Sequence, residues 1–166
     1  MNIKVQAILI ISLLFLGAWF KPADAAQYVQ KDGLFKMDIP GQWHWAESSQ
    51  ETIITFPDGK MVAVDIQWVP SRDLSQAQIK SAIKAADDRM IKEGVLAHHG
   101  TLLDNKEIKL DGVYATQLVF KTSPPNAILV TYISFFNKGN AFTVTYGSED
   151  EKMHSMMDDV VETIKF

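Results

Sequence analysis

The sequence predicts an α+β domain in which a mainly antiparallel β-sheet is covered by two principal helices. Apolar and polar residues alternate with a period of two through most of the chain, as in half-buried strands. Short turn sequences separate these runs, which favours pairing of consecutive strands. Two other segments repeat their apolar residues at intervals of three and four, as amphipathic helices do.

The start of the chain has the order of parts of a secretory signal peptide. Lys4 precedes a roughly 14-residue apolar run, and a small-residue cleavage site follows at residues 23–25. An apolar run needs about 20 residues to span a bilayer, so an uncleaved membrane anchor is the less favoured alternative. We expect cleavage before Ala26, or one residue later. Residues 1–25 are then a removed signal peptide, and residues 26–166 form one exported domain, periplasmic or secreted, with no stable membrane anchor.

The composition of the expected mature domain excludes several classes of function. The chain has 16 basic and 20 acidic residues, and removal of the leader gives a formal charge of −5. Nucleic acids and anionic lipids attract clusters of Lys and Arg, and the sequence has no such cluster, so we expect no nucleic-acid partner. Cysteine is absent, which excludes disulfides, thiolate metal sites and an acylated lipoprotein N-terminus.

The first part of the domain predicts a strand, a second extended segment and a hairpin. Residues 35–39 alternate as a strand does, and Pro40 and Gly41 end it. Apolar runs at residues 52–56 and 61–69 are separated by a Pro-Asp-Gly-Lys turn, which predicts a hairpin. In the second run a period of two places one set of side chains on the dry face. That set is Val62, Val64, Ile66 and Trp68.

A helix is predicted to follow this hairpin. Ser75 and Gln78 have the spacing of a capping box, so the helix begins at Ser75 or Gln76. Gly94 is the predicted C-terminal stop. We expect one face to be buried on the sheet, and the apolar stripe on that face consists of Ile79, Ala82, Ile83, Ala86, Met90 and Ile91.

The second part of the domain predicts further strands and a closing helix. An Asp111-Gly112 turn leads into three consecutive antiparallel strands, and a loop at residues 122–127 and a turn at residues 137–140 join these three into a meander. A second capping box at Ser148 and Glu151 begins the last helix. The predicted strands are residues 101–104, 106–110, 113–121, 128–136 and 142–146. The stripe of the last helix is Met153, Met156, Met157, Val160, Val161 and Ile164.

Four residues are candidates for a binding surface. Trp43 and Trp45 alternate with His44 and so share one face of an extended segment. Tryptophan rings stack on ligands, but the alternative that we favour for Trp43 and Trp45, as for Trp68, is core packing. His98 and His99 are adjacent, so in an extended segment they point to opposite faces and do not converge on one metal ion. In a loop the two could converge, but a metal site needs three or more ligands and only two are nearby.

A further row of polar residues lies along the last helix. Asp150, His154 and Asp158 follow one another at intervals of four. The two aspartates are about 12 Å apart along a helix axis, too far to share an ion. We therefore expect a solvated helix face with i, i+4 pairs. Since no nucleophile elbow and no phosphate-binding loop occurs either, we expect no enzyme activity, no catalytic residue, no metal and no cofactor.

The order of these elements resembles the PsbP-like family, which includes the photosystem protein PsbP, the bacterial periplasmic DcrB-type proteins and the Mog-type nuclear import factors. The resemblance covers residues 28–166. Besides the element order, two sequences carry it: Pro40-Gly41-Gln42-Trp43 after the first strand, and the helical ending Glu162-Thr163-Ile164-Lys165-Phe166. It implies an αβα sandwich and a non-enzymatic role in binding, assembly or support of another protein.

These inferences lead to one expected function and one alternative. We expect a monomeric, exported, non-catalytic accessory or assembly domain that binds another protein of the cell envelope. The alternative is a carrier of a small molecule or lipid, with a cavity between helix and sheet.

Overall fold

The structure is a computed structural model, and it describes residues 25–57, 62–98, 100–125 and 127–166. All of the predicted signal peptide except Ala25 lies outside these ranges. No helix within them is long and apolar enough to span a bilayer. The strands are β1 (Ala25–Val29), β2 (Lys36–Pro40), β3 (His44–Glu47), β4 (Glu51–Thr55), β5 (Val62–Pro70), β6 (Thr101–Leu110), β7 (Val113–Lys121), β8 (Leu129–Asn137) and β9 (Asn140–Ser148). The helices are α1 (Gln76–His98) and α2 (Glu151–Glu162).

Seven strands form one antiparallel sheet in the order β3-β4-β5-β9-β8-β7-β6, and β1 and β2 form a separate hairpin. Helix α1 lies against β6, β7 and β8, whereas α2 lies against β9, β5 and the β1–β2 hairpin. The two helices cover opposite faces of the sheet. Helix α2 contacts Thr131 of β8, whereas α1 contacts Thr116 of β7, which pairs with Ser134 of β8. Because Thr131 and Ser134 are three residues apart in one strand, their side chains point to opposite faces. The predicted fold class is confirmed.

The main core lies between the sheet and the layer made by α2 and the β1–β2 hairpin. The Phe135 and Phe142 rings are stacked with centroids 4.8 Å apart, and Phe166 closes over both. Trp68 is buried in the same cluster, as predicted. This layer therefore holds most of the apolar burial that stabilises the domain.

The predicted meander and its turns are confirmed, and β7, β8 and β9 pair consecutively. Asp111 and Gly112 both have positive φ, as do Lys138 and Gly139. Two consecutive residues with positive φ are typical of the type I′ turns that join adjacent strands tightly.

Two strand predictions were wrong because β-bulges interrupt the period of two. The register of β4 with β5 shifts between Ile54 and Thr55, so Ala63 is buried and Val62 is exposed, contrary to the prediction for Val62. Residues 101–110 form one strand instead of two, because a register shift at Leu103 absorbs an extra residue. A bulge inserts one unpaired residue without ending a strand.

Two helix boundaries also differ from the prediction. The capping box of Ser75 with Gln78 is confirmed, but α1 continues through Gly94, since a single glycine costs a helix only about 1 kcal/mol. Helix α2 is capped by Asp150, which accepts hydrogen bonds from the backbone N–H groups of residues 152 and 153. Ser148 instead accepts a hydrogen bond from the N–H of Asp150. An aspartate next to the first turn is a strong N-cap, and it displaces the predicted one.

Candidate functional site

The structure separates the two tryptophans that were predicted to share a face. Trp43 is 5% exposed, and the centroid of its ring lies 4.8 Å from the centroid of the Phe56 ring. Trp45 is 49% exposed, and its ring contacts Tyr28 at 5.6 Å. Core packing is thus confirmed for Trp43 and wrong for Trp45, because Trp43 precedes the strand and β3 lies at the edge of the sheet.

The two candidate histidines are not placed beside the tryptophans by the described structure. His98 is the last residue of α1 and so is not in an extended segment, and its side chain is outside the described part of the chain. His99 lies outside the described residues. Among the residues that are described, no three His, Asp or Glu side chains are grouped as metal ligands are.

Strand β3 forms one edge of the sheet, and all four of its residues are exposed. The Ser48 N–H donates to the carbonyl of Glu51, which makes this a hydrogen-bonded pair. Such pairs alternate along an antiparallel ladder, so His44 and Ala46 bond to β4. The N–H and C=O groups of Trp45 and Glu47 consequently point away from the sheet.

The aromatic side of this edge is held in place by contacts with the β1–β2 hairpin. The Tyr28 hydroxyl is hydrogen-bonded to that of Thr52 at 3.1 Å, and burial, with the nearby Glu47 carboxylate, raises the pKa of Tyr28. Lys31 donates from its backbone N–H to Glu47 and from its ammonium group to the carbonyl of Ser48. Trp45 is therefore a half-exposed ring on a fixed support. We call β3 with Tyr28 the β3 edge.

The opposite edge of the sheet has features that prevent strand pairing. Strand β6 carries a bulge at Leu103, which is 54% exposed. Charged residues of both signs follow, and Lys106 forms an ion pair with Asp104 at 3.5 Å. Bulges and charges on an edge strand disfavour pairing with another chain. The shorter β3 has neither a bulge nor a lysine.

An acidic surface adjoins β3 on the face of the sheet opposite to α2. The side-chain amide of Gln67 donates to both Glu51, at 3.0 Å, and Asp65, at 2.9 Å. Burial raises the pKa of Asp65, and the neighbouring Glu51 charge raises it further. None of the five ion pairs found among the described residues includes either carboxylate. Their negative charge is not compensated by a cation of this part of the chain.

A groove of about 340 Å³ lies between α2 and strands β6 to β9. Its walls are apolar at Ile108, Ile133 and Val161, and the Tyr146 hydroxyl and the Asp158 carboxylate supply polar groups. Lys165 and Asp111, which also line the groove, form an ion pair at 3.4 Å. The groove can thus accommodate a small ligand with an apolar body and a hydrogen-bonding end.

A closed polar network lies beside this groove, and it corrects the prediction of a solvated helix face. His154 is buried, its Nε2 lies 3.0 Å from the Thr131 hydroxyl, and its Nδ1 lies 3.4 Å from Asp158. The Tyr146 hydroxyl donates to Asp158 at 2.5 Å. Burial, followed by the hydrogen bond to Asp158, raises the pKa of Tyr146. The sequence contains a signal for the burial of His154 that the prediction missed. His154 lies three residues before Met157 and therefore has the spacing of the apolar stripe.

The order hydroxyl, imidazole and carboxylate in this network is that of a nucleophilic triad. Nucleophilic attack requires that the hydroxyl reach a substrate, but Thr131 is completely buried under α2. The geometry instead gives partners to the polar groups of the buried Thr131, Tyr146 and His154 and to the half-buried carboxylate of Asp158. The network fixes α2 on the sheet.

Comparisons with known proteins identify the fold. No protein-family model and no curated protein sequence matches the chain. The solution structure of cyanobacterial PsbP (CyanoP) from Synechocystis sp. PCC 6803 is similar, with a TM-score of 0.60 and 12% identity over 90% of this chain and 98% of that one. LpqN of Mycobacterium tuberculosis, described as involved in cell envelope biogenesis, has a TM-score of 0.52 and 16% identity over 86% and 91%.

A third similar structure is a protein from Bacteroides thetaiotaomicron VPI-5482, with a TM-score of 0.52 and 13% identity. The match covers 86% of this chain and 48% of that one, so this chain corresponds to about half of it. At such low identities the similarity concerns the architecture alone. The chain has the PsbP-like fold, in agreement with the resemblance seen in its sequence.

Proposed function

We propose that this chain is an exported, non-catalytic accessory domain of the cell envelope, and that it docks on another protein through the β3 edge. The observation that carries the proposal is the combination of a half-exposed Trp45 with outward backbone groups on an unprotected edge strand. Tryptophan is enriched among residues that dominate protein interfaces. The leader at residues 1–25 and the envelope role of LpqN, a protein of the same fold, support the location.

Site-specific photo-crosslinking in the intact cell tests this function. Benzoylphenylalanine replaces Trp45 in one version of the full chain and Leu103, the equally exposed residue of the opposite edge, in a second. We expect a discrete heteromeric adduct from position 45 and none from position 103. Absence of an adduct at position 45, or equal adducts at both, would contradict the proposal.

Export is tested separately by the mass of the protein recovered from the envelope fraction. The proposal predicts a chain that has lost residues 1–25, or one residue more. A protein recovered only from the cytoplasm with these residues present would contradict an envelope role, whatever its surface binds.

A second candidate function, transport of a small molecule or lipid, is favoured by the groove beside α2. It predicts that native mass spectrometry of the purified protein detects a co-purified compound. Ile108→Trp would fill the groove and remove that compound, while leaving the β3 edge unchanged. Detection of such a groove-dependent mass, with no adduct at position 45, would favour the carrier over the docking domain.

A further inference from the structure

The β3 edge has the chemistry of a site for strand addition. We infer that the partner contributes an extended segment that pairs with β3 as an eighth strand of the sheet, with apolar side chains towards Trp45 and basic side chains towards Glu51. This inference rests on the proposed function, since it specifies how the partner binds at the same edge. Addition of an extended peptide to a sheet edge is a common mode of peptide recognition.

The backbone of β3 is free to form the required ladder. Two independent hydrogen bonds show which backbone groups of β3 point outward. On the β3 side of β4, the Ser48 N–H donates to the carbonyl of Glu51. On the β5 side, the Trp68 N–H donates to the carbonyl of Gln50. Both place the odd-numbered residues of β4 against β3, so Trp45 and Glu47 direct their N–H and C=O groups outward. An added strand can therefore form four hydrogen bonds without displacing any existing one.

One face of the added strand would meet an aromatic surface. Trp45 projects to the side of the sheet that carries Tyr28, and the two rings are in contact. An apolar side chain on the added strand would pack against the exposed half of the Trp45 ring. Cross-strand pairs of aromatic and β-branched side chains stabilise a sheet by roughly 0.2–1 kcal/mol each.

The other face of the added strand would meet uncompensated negative charge. On that face, Ala46 and Ser48 are small and leave Glu51 and Asp65 open, whereas His44 lies further along the strand, opposite Thr55. A lysine or arginine of the partner is long enough to cross one strand and reach Glu51. Charge complementarity of this kind selects basic segments and increases the association rate.

The same charges disfavour a second copy of this chain as the partner. Pairing of two β3 edges would bring two copies of the acidic surface of Glu51 and Asp65 towards each other. Strand β3 itself has no lysine or arginine to offset them. Like charges placed across an interface reduce the affinity.

Proline substitution separates strand addition from simple side-chain docking. Glu47→Pro removes an outward N–H, which an edge strand tolerates, while Glu47→Ala removes only the side chain. With benzoylphenylalanine at position 45, we expect the adduct yield of Glu47→Pro to be about fivefold or more below that of Glu47→Ala, which loses the same side-chain contact with Lys31. Equal yields in the two variants would overturn strand addition. The proposed function would then still stand, whereas an absence of adduct in the parent chain would refute the function itself.

Amide hydrogen exchange of the complex provides a second test that needs no folded proline variant. On binding, the amides of Trp45 and Glu47 should become protected, whereas those of His44 and Ala46 are already bonded to β4 and serve as internal controls. Unchanged exchange at Trp45 and Glu47 in a complex that crosslinks would overturn strand addition.

A further variant tests the expected contact between a basic side chain of the partner and Glu51. Glu51→Gln should lower the adduct yield and weaken its dependence on salt concentration. Glu149→Gln, which neutralises an exposed carboxylate away from the β3 edge, is the matched control. A yield that is insensitive to Glu51→Gln, or an adduct with a second copy or with residues 1–24, would overturn the basic partner segment.

Discussion

The two helices have similar apolar stripes in the sequence, but they are buried to very different extents. Helix α2 has 12 residues, and His154, Met157, Val160 and Val161 are buried. Helix α1 is nearly twice as long, yet only Ile83 and Asp87 are buried among its described side chains. Periodicity therefore predicts the approximate side of a helix that faces inward, although Ala86 and Met156 of the predicted stripes are exposed. It does not predict how deeply that side is buried.

The difference follows from what lies under each helix. Helix α2 packs near the centre of the sheet, where the β1–β2 hairpin extends the apolar layer beside it. Helix α1 lies towards the β6 edge and places the carboxyl group of Asp87 against the sheet. Burial of a charged group opposes close packing.

The largest loss of stability is expected from truncation of the α2 stripe. Met157 is completely buried, so Met157→Ala should lower the free energy of unfolding by about 2–5 kcal/mol. Met90→Ala in α1 removes the same atoms from a half-buried site and should cost clearly less. Urea unfolding of both variants measures the difference. Equal losses would mean that α1 packs as tightly as α2.

The polar network under α2 is the next largest contribution. Tyr146→Phe removes the hydroxyl that donates to Asp158 and leaves a half-buried carboxylate without that donor, which should cost about 1–3 kcal/mol. Tyr132→Phe, on the α1 side, removes a phenol whose raised pKa is caused by burial alone. It should change stability by less than about 0.5 kcal/mol. A neutral Tyr146→Phe would show that the network does not stabilise α2.

These contrasts also show what the sequence could predict. Period-two alternation and the turn pairs Asp111-Gly112 and Lys138-Gly139 specified the meander, because type I′ turns have a strict local chemistry. The bulges that expose Val62 and Leu103 had no such local signal. They depend on the register between strands, which is a property of the assembled sheet.

The candidate site was less predictable than the fold, for a related reason. Trp43 and Trp45 are identical residues two positions apart. Only Trp45 lies in the edge strand β3, and only Trp45 is exposed. The acidic surface joins Glu51 to Asp65 across two strands through Gln67. Neither feature exists until the strand order is known. The sequence did contain a signal for the separate polar network under α2, because His154 has the spacing of the α2 stripe.

Asp87 allows the weaker packing of α1 to be tested by pH. Burial raises its pKa above the ordinary value of 3.8; the charge of Asp88 raises it further, while Lys84 and the nearby Thr116 hydroxyl lower it. The Thr116 hydroxyl makes no hydrogen bond of normal geometry within the described structure. A raised pKa means that the folded state binds the proton more tightly than the unfolded state. The contribution of this group to stability is therefore lost as pH rises from 3.8 through the folded-state pKa.

Asp87→Asn should remove this dependence on pH. The variant is expected to be more stable than the parent above the folded-state pKa of Asp87, and to have no such advantage below pH 3.8. Thermal unfolding at several pH values measures the difference. Glu93→Gln, which changes an exposed carboxylate of the same helix, is the control. A stability difference that does not change with pH would contradict a buried, titrating Asp87.

The smallest effects are expected at the two helix caps, where the same deletion should have unequal results. Asp150→Ala removes the acceptor for two N–H groups of α2 and should cost about 1 kcal/mol. Ser75→Ala removes the cap of α1, but its first turn is exposed and can fray without unfolding the sheet, so the global loss should stay below about 0.5 kcal/mol. Hydrogen exchange should instead show faster opening confined to α1. An equal global loss at both caps would show that α1 unfolds together with the core, and the contrast between the helices would then be one of exposure alone.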